Sequence, residues 1–432
     1  MSLTRTSILE AFQQYGASKE HWRIGGEYER MILRPDGGSV GYEEAFGIRW
    51  FLLQFAKRHG WKPKLEGQNV IALYKDGASI TLEPGGQFEL SGAPHYSLLD
   101  LETEFETNRR HLNQLCKESG LVTATCGLTP YSRIESIRWM PKGRYGIMRE
   151  YLPKKGELAH YMMKGTCSVQ CNYDFSSEQD CAQKVLLCAG IAPVTTAMFA
   201  NSPLYMGRPT SYMSFRGHIW THTDPDRTGF PPGLREDFSY ERWVDYLLDV
   251  PMMFIYRDHW IHAQGTSFRT FMEKGIDGHF PTEEDWNLHM TSVFPEVRIK
   301  RTIEVRGADC VSHELALAFC ALFSGLLYSE KALSQALAVQ EEFCQYGTRE
   351  ERFQIACKGG LEGQVGNRSL ADWAEKILDI AQAGLEEWQP EGAHLLKPLV
   401  KQVASGESPA ATLLRVWKRD PSPKALLRYL AY

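Results

Sequence analysis

Arg23-Ile24-Gly25-Gly26-Glu27-Tyr28-Glu29-Arg30 is an apolar, strand-like run that carries carboxylates at alternate positions. Side chains two apart on an extended chain point to the same face, so Glu27 and Glu29 stand side by side. Two further stretches repeat the oddity: Thr81-Leu82-Glu83-Pro84-Gly85-Gly86-Gln87-Phe88-Glu89-Leu90 and Thr302-Ile303-Glu304-Val305-Arg306. In the last, Glu304 and Arg306 share a face by the same rule. The glycine pairs at 25–26 and 85–86 permit close backbone approach or a sharp bend. One glutamate in such a run reads most simply as the solvent side of a half-exposed strand. Glu27, Glu29, Glu83, Glu89 and Glu304 together would repel one another on the inner face of a sheet unless positive charge lies between them. Mg²⁺ is the economical candidate, a hard cation that takes oxygen ligands and accompanies phosphates. A phosphate oxygen held between that cation and Arg306 needs this arrangement, which points to a metal–phosphate site.

The chain has 432 residues, 43% hydrophobic and 23% charged, the composition of a globular protein able to bury a large core. A net charge of −5 leaves no footprint for nucleic acid. The longest apolar run, Leu315 to Tyr328, is interrupted by Ser324-Gly325 and is too short to span a bilayer, so no membrane partner is expected. Met1-Ser2-Leu3-Thr4-Arg5-Thr6 lacks an apolar signal core, which reads as a cytoplasmic protein. The ten cysteines include no Cys-x-x-Cys; Cys167 and Cys171 share one strand face and read as packing rather than as a zinc pair or a nucleophile.

Strands and helices alternate in the first third. Residues 43–59 read as an amphipathic helix, 69–74 and 78–83 as a hairpin turning at Asp76-Gly77, and 97–119 as a helix with Ser97 and Asp100 in capping spacing. Residues 166–174 alternate like a strand, with Thr166, Ser168, Gln170 and Asn172 on one side. Residues 178–200 look like a buried helix kinked at Pro193. Residues 201–237, rich in proline and glycine but also carrying Arg208, Arg216, Trp220, His222 and Arg227, read as a site-forming or lid segment. Beyond Arg306 the pattern is helical: Leu370, Trp373, Ile377, Ala381, Leu385 and Trp388 recur at helical spacing behind Ser369, and Ser408-Pro409 marks another helix start. The fold class is α+β. Residues 1–432 read as one integrated domain, with 330–432 a mostly helical part packed on it.

Arg144 and Arg216 lie among aromatic and glycine residues, where a guanidinium fork suits a carboxylate or phosphate. His218 and His222 flank Trp220 and read as polar lining of a loop. The chain contains no P-loop, dinucleotide, serine-hydrolase or zincin motif.

These residues resemble the plant and proteobacterial type of glutamate–cysteine ligase. The likeness runs along nearly the whole chain. It is carried by residues 23–29, by Leu82-Glu83-Pro84-Gly85-Gly86-Gln87-Phe88-Glu89-Leu90-Ser91-Gly92-Ala93-Pro94, by Met140-Pro141-Lys142-Gly143-Arg144-Tyr145 and by Ala200-Asn201-Ser202-Pro203. His218-Ile219-Trp220-Thr221, Phe294-Pro295-Glu296-Val297-Arg298 and Arg306-Gly307-Ala308-Asp309 continue it. The resemblance implies a glutamine-synthetase-like fold, a curved and mainly antiparallel sheet forming a funnel backed by helices. It implies ATP-dependent ligation of the γ-carboxylate of L-glutamate to the amine of L-cysteine, by a monomer or homodimer. Glu27, Glu29, Glu83, Glu89 and Glu304 would hold Mg²⁺ around ATP, with Glu27, Glu29, Glu304 and Arg306 central to catalysis and Arg306 on the phosphates. Arg144 and Arg216 would hold glutamate, with Gln170, Asn172 and Trp220 as further substrate contacts. Lys164-Gly165 stand where relatives carry an arginine before Thr-Cys, which leaves open a different acceptor amine; a non-catalytic ATP-binding regulator is the remaining alternative. Ala263 and Leu317 stand where the plant disulfide switch has its cysteines, so that switch is not expected.

Overall fold

The central strand is β1 (Ile24–Leu33), and the rest of the sheet is assembled around it. A computed structural model describes residues 3–234 and 238–431. The other strands are β2 (Lys62–Glu66), β3 (Asn69–Lys75), β4 (Ala78–Leu82), β5 (Phe88–Ser91), β6 (Val122–Ala124), β7 (Ser168–Tyr173), β8 (Val297–Ile299) and β9 (Ile303–Asp309). They run in the order β8-β9-β7-β1-β5-β4-β3-β2, with β6 pairing the far end of β1. Every pairing in this sheet is antiparallel.

One face of the sheet is covered by α1 (Leu98–Ser119) and α2 (His313–Tyr328). Tyr28 faces them, stacking on Phe105 at 5.5 Å and donating its hydroxyl to the Val311 carbonyl at 2.5 Å. The same closeness accounts for Gly26, where a Cβ would meet the Phe105 ring at 2.6 Å. Period-two alternation then turns Glu27 and Glu29 to the opposite face.

Several local expectations hold. The β3–β4 turn puts Asp76 and Gly77 at φ +47° and +86°, the left-handed pair that a tight hairpin requires. Ser97 caps α1 by accepting from the Asp100 N–H at 3.1 Å. Ser369 caps α3 (Leu370–Trp388) in a capping box with Asp372, and Trp373 of that helix is fully buried against the core. The 43–59 helix begins at Ile48, because Glu44 is held by Arg34 and by the Gly41 N–H in a preceding turn. The helix expected at 178–200 is broken into Glu178–Gly190 and Ala192–Met198, bent by 51° just before Pro193.

The C-terminal part packs on α2 and returns to the sheet, where the Thr125 N–H donates to the Leu430 carbonyl at 2.9 Å. Buried apolar side chains form one continuous cluster from Ile8 to Leu430. All ten cysteines are free, nine of them buried and Cys344 partly exposed. No single helix among the described residues is long and apolar enough to cross a membrane.

Candidate active site

The sheet face away from α1 and α2 forms the floor of a cavity of about 310 Å³. Strand register sets its chemistry. Glu29 lies opposite Glu89, which lies opposite Thr81. One row along, Glu27 lies opposite Gln170, and beyond it Glu304 lies between Asn172 and Arg298. Directly opposed residues share a face, so the acids of separate segments become neighbours. Glu83 is not in a strand. It begins the β4–β5 turn, where its carbonyl accepts the Gly86 N–H at 2.9 Å, and Gly86 takes φ +92°.

Glu27, Glu29, Glu83 and Glu89 all line the cavity, with Arg144, Gln170, Trp220 and Arg306. Burial, reinforced by Glu304 and Glu89, raises the Glu27 carboxyl to about 7. Burial, then Glu89 and Glu83, pushes Glu29 well above the usual carboxylate range, and burial with Glu83 raises Glu89. Hydrogen bonds hold each in place: Asn172 Nδ2 donates to Glu27 at 2.8 Å, the Ser168 N–H donates to Glu29 at 2.5 Å, and the Thr81 hydroxyl donates to Glu89. Lys142, Arg144, Arg298, Lys300 and Arg306 also line the cavity, yet burial and the neighbouring carboxylates outweigh them on this floor.

The donor set fits Mg²⁺. It is all carboxylate oxygen, although among the described residues no three acidic, histidine or cysteine side chains stand close enough to hold a metal ion by themselves. Mg²⁺ is commonly held by one or two carboxylates together with substrate phosphates, so an open acidic floor suits it better than a closed cage would.

Glu304 departs from the expectation that it belongs with these ligands. It is fully buried behind the floor and does not line the cavity. Its carboxylate accepts from Arg298 at 2.8 Å, pairs with Lys300 at 3.2 Å and accepts from Arg306. Burial alone would raise this group, but Arg298, Lys300 and Arg306 hold it well below the usual range. The reason is geometric: β8 places Arg298 directly across from it. Glu304 thereby fixes Arg306, which also donates to Gln170. A register shift in β9 between Val305 and Ala308 lets the Arg306 side chain reach across to β7.

Arg216 and Asn172 also stand one layer back from the cavity. Arg216 donates to the Arg306 carbonyl at 3.0 Å, lies 4.0 Å from Asp309 and sits 5.5 Å from the Trp220 ring centre. Arg144 Nε and Trp220 Nε1 have no hydrogen-bond partner among the described residues.

The segment expected to form part of the site or a lid contributes Trp220 to the cavity wall and is pinned in place. Phe215–Thr221 is helical, and Asp224 and Arg227 form a buried pair at 2.6 Å, with Arg227 also donating to the Pro251 carbonyl at 2.7 Å. Residues 235–237 of that segment lie outside the described residues. His218 stacks on Tyr212 at 4.3 Å, in keeping with a lining role.

Lys164 does not supply charge to the cavity. It donates to the Ile137 carbonyl at 3.0 Å and lies 5.0 Å from the Trp139 ring centre. A Cβ at Gly165 would point into Ile134 and Leu128, at 2.6 and 3.0 Å, away from the acidic floor. A side chain at 165 would thus meet apolar packing first, while its neighbours Met163 and Thr166 line the cavity.

Lys142, Arg298 and Lys300 were not singled out from the sequence, yet all line the cavity. Burial, then Arg144, lowers the Lys142 ammonium to about 8. Its position two residues before Arg144 was the available signal.

The model of glutamate–cysteine ligase family 2 matches residues 23–426. The chain belongs to that family. It is 39% identical to the chloroplastic glutamate–cysteine ligase B of Oryza sativa subsp. japonica, over 98% of this chain and 86% of the relative. It is 38% identical to the chloroplastic enzyme of Arabidopsis thaliana, over 97% and 80%. In fold it is similar to the Francisella tularensis glutamate–cysteine ligase solved in complex with AMP (TM-score 0.57, 13% identity, 95% of this chain and 87% of that one). It is also similar to a bifunctional glutathione synthetase from Pasteurella multocida (TM-score 0.51, 14% identity, 99% and 52%). The expected ligase fold, a mainly antiparallel sheet backed by helices, is thus found.

The cytoplasmic expectation is overturned by these relatives, which are chloroplastic proteins. Its premise was too narrow. Plastid-targeting segments are amphipathic and rich in serine and arginine, so the lack of an apolar core says nothing about them.

Proposed function

We propose that the protein joins the γ-carboxylate of L-glutamate to the amine of L-cysteine at the expense of ATP, giving γ-glutamylcysteine, ADP and phosphate, the first step of glutathione synthesis. The observation that carries this reading is one cavity whose floor is Glu27, Glu29, Glu83 and Glu89 and whose walls present Arg144 and Arg306.

A carboxylate is a poor acyl donor because its leaving group would be oxide. Transfer of the γ-phosphoryl group of ATP to a γ-carboxylate oxygen expels ADP and makes an acyl phosphate. The neutral amine of cysteine then attacks the acyl carbon, phosphate leaves, and the nitrogen sheds a proton. Positioning and charge do most of the catalytic work in such transfers. Arg306, oriented by Glu304 and Gln170, faces the phosphoryl oxygens. Arg144 grips the non-reacting end of glutamate beside Trp220, and Arg216 supports this wall from behind. Glu27, Glu29, Glu83 and Glu89 would hold Mg²⁺, which would offset the charge of the phosphates. Asn172 and Ser168 keep Glu27 and Glu29 in place for that purpose. Residues 1–432 act as one catalytic domain, the helical part from 330 onwards bracing the back of the sheet.

A coupled ADP assay with glutamate and a panel of amines, with mass spectrometry of the product, tests the reading. ADP formation that requires Mg²⁺, glutamate and cysteine together, with a product of γ-glutamylcysteine mass, is expected. ADP formation independent of cysteine, or faster with another amine, overturns it.

A further inference from the structure

A second cavity, of about 560 Å³, lies on the other side of the β8–β9 hairpin and shares no lining residue with the acidic one. Its walls come from the N-terminal helix Arg5–Gln13 and the residues after it, from the start of β1, from the helix Glu283–Met290 and from the hairpin tip. Its size suits an amino acid or short peptide.

Its polar groups are arranged in opposed signs. Arg301 reaches the Tyr15 phenol, and Glu283 is near enough to act on it electrostatically. Neither forms an ion pair with another described residue. Arg23 and Asp174 also line it, already engaged with each other: the Arg23 backbone N–H donates to Asp174 at 2.7 Å and its guanidinium stands 3.9 Å away. Trp286, 4% exposed, also lines the cavity, and its indole N–H has no partner among the described residues. A guanidinium and a carboxylate near one phenol, neither held in an ion pair, match a molecule with its own carboxylate and ammonium. A simple anion would meet Glu283 and Asp174 as well as the arginines.

The hairpin tip is the shared wall. Lys300 faces the acidic cavity and pairs with Glu304 at 3.2 Å, while Arg301 faces the second cavity. Thr302 lines the second cavity, yet its hydroxyl donates to Asn172 at 3.0 Å, and Asn172 donates to Glu27 at 2.8 Å. A ligand that draws on Arg301 therefore acts on a tip that also positions groups of the catalytic floor.

We propose that this cavity is an effector site for a small zwitterion, an amino acid or short peptide, held by Arg301 and Glu283 and coupled through residues 300–302 to Glu27. Binding to the full chain is measured by calorimetry with the proteinogenic amino acids other than glutamate and cysteine, and with their glycyl dipeptides, in the presence of saturating Mg²⁺ and ATP. At least one free zwitterion binds, its N-acetylated and C-amidated forms bind about tenfold more weakly or worse, and Arg301→Gln and Glu283→Gln each weaken it to a similar degree. Both positions are exposed, and circular dichroism confirms that the variants are folded. Coupling is read in the rate of ADP formation: the bound zwitterion changes it between about fivefold and about a hundredfold in the parent. Thr302→Val keeps the binding and loses the rate effect. Absence of any such ligand, equal binding of the blocked forms, or binding unchanged in Arg301→Gln overturns the site. A rate effect that survives Thr302→Val overturns the coupling path.

Discussion

Glu27→Gln should make the ligand-free protein more stable while removing its turnover. The Glu27 carboxyl is raised from an ordinary 4.5 to about 7 by burial and by Glu304 and Glu89. At about 1.4 kcal/mol per pH unit, keeping it ionised in the folded protein costs about 3 kcal/mol at pH 8. The sign follows from linkage. The folded form binds this proton more tightly than the unfolded chain, so the penalty is complete above pH 7 and disappears as pH falls towards 4.5. Glutamine removes the charge and keeps an oxygen for the Asn172 hydrogen bond. Thermal unfolding without metal should therefore place the variant a few degrees above the parent at pH 8, with the gap closing by pH 5. Added Mg²⁺ should stabilise the parent more than the variant. ADP formation should fall by about a hundredfold or more, the scale of losing one electrostatic contact to developing charge. A variant less stable than the parent at pH 8, or a gap that does not close on acidification, would refute the picture of a floor where burial and neighbouring carboxylates outweigh the positive charge.

Glu304→Gln should act in the opposite direction, because it strips the shared counter-charge from Arg298, Lys300 and Arg306; a loss of about 3–5 kcal/mol is expected in urea unfolding. Glu304 is held low, so its stabilisation is present at neutral pH and is lost only as acid reaches below the ordinary carboxylate range. Arg216→Ala should raise the KM for glutamate more than it lowers kcat. An unchanged glutamate titration with lowered thermal stability would assign Arg216 to the scaffold alone. Gly165→Ala should cost about 1–3 kcal/mol by crowding Ile134 and Leu128, and should leave the ranking of acceptor amines unchanged in the product assay.

The acidic floor was legible because period-two alternation needs only local geometry. Glu27, Glu29 and Glu89 fall on the face that the pattern assigns them, and the 76–77 turn fixes which strands meet. The surroundings of Glu304 were not legible because they are decided by a cross-strand partner: Arg298 is six positions away and reaches it only through the β8–β9 register. The segment at 201–237 was read as site-forming or a lid, and how firmly it is held was not legible for a related reason. Its prolines and glycines signalled a loop correctly, but the burial of Asp224 with Arg227 depends on Pro251 and Ser292, which no local pattern reveals. Lys142 escaped notice because its lowered ammonium is a product of burial beside Arg144, a tertiary property.

The buried, unlinked cysteines bear on how such a catalyst survives its own chemistry. Nucleophilic attack and disulfide exchange require a thiolate, and burial pushes Cys116 and Cys126 up to about 12 and several others further. A ligase whose acceptor amine belongs to a thiol-bearing molecule works in contact with that thiol and with the disulfides it forms in air. Keeping its own sulfur protonated and out of reach separates the reagent from the machine: mixed disulfides with the acceptor have almost nowhere to form. Cys344, the partly exposed one, marks the single position where they could begin.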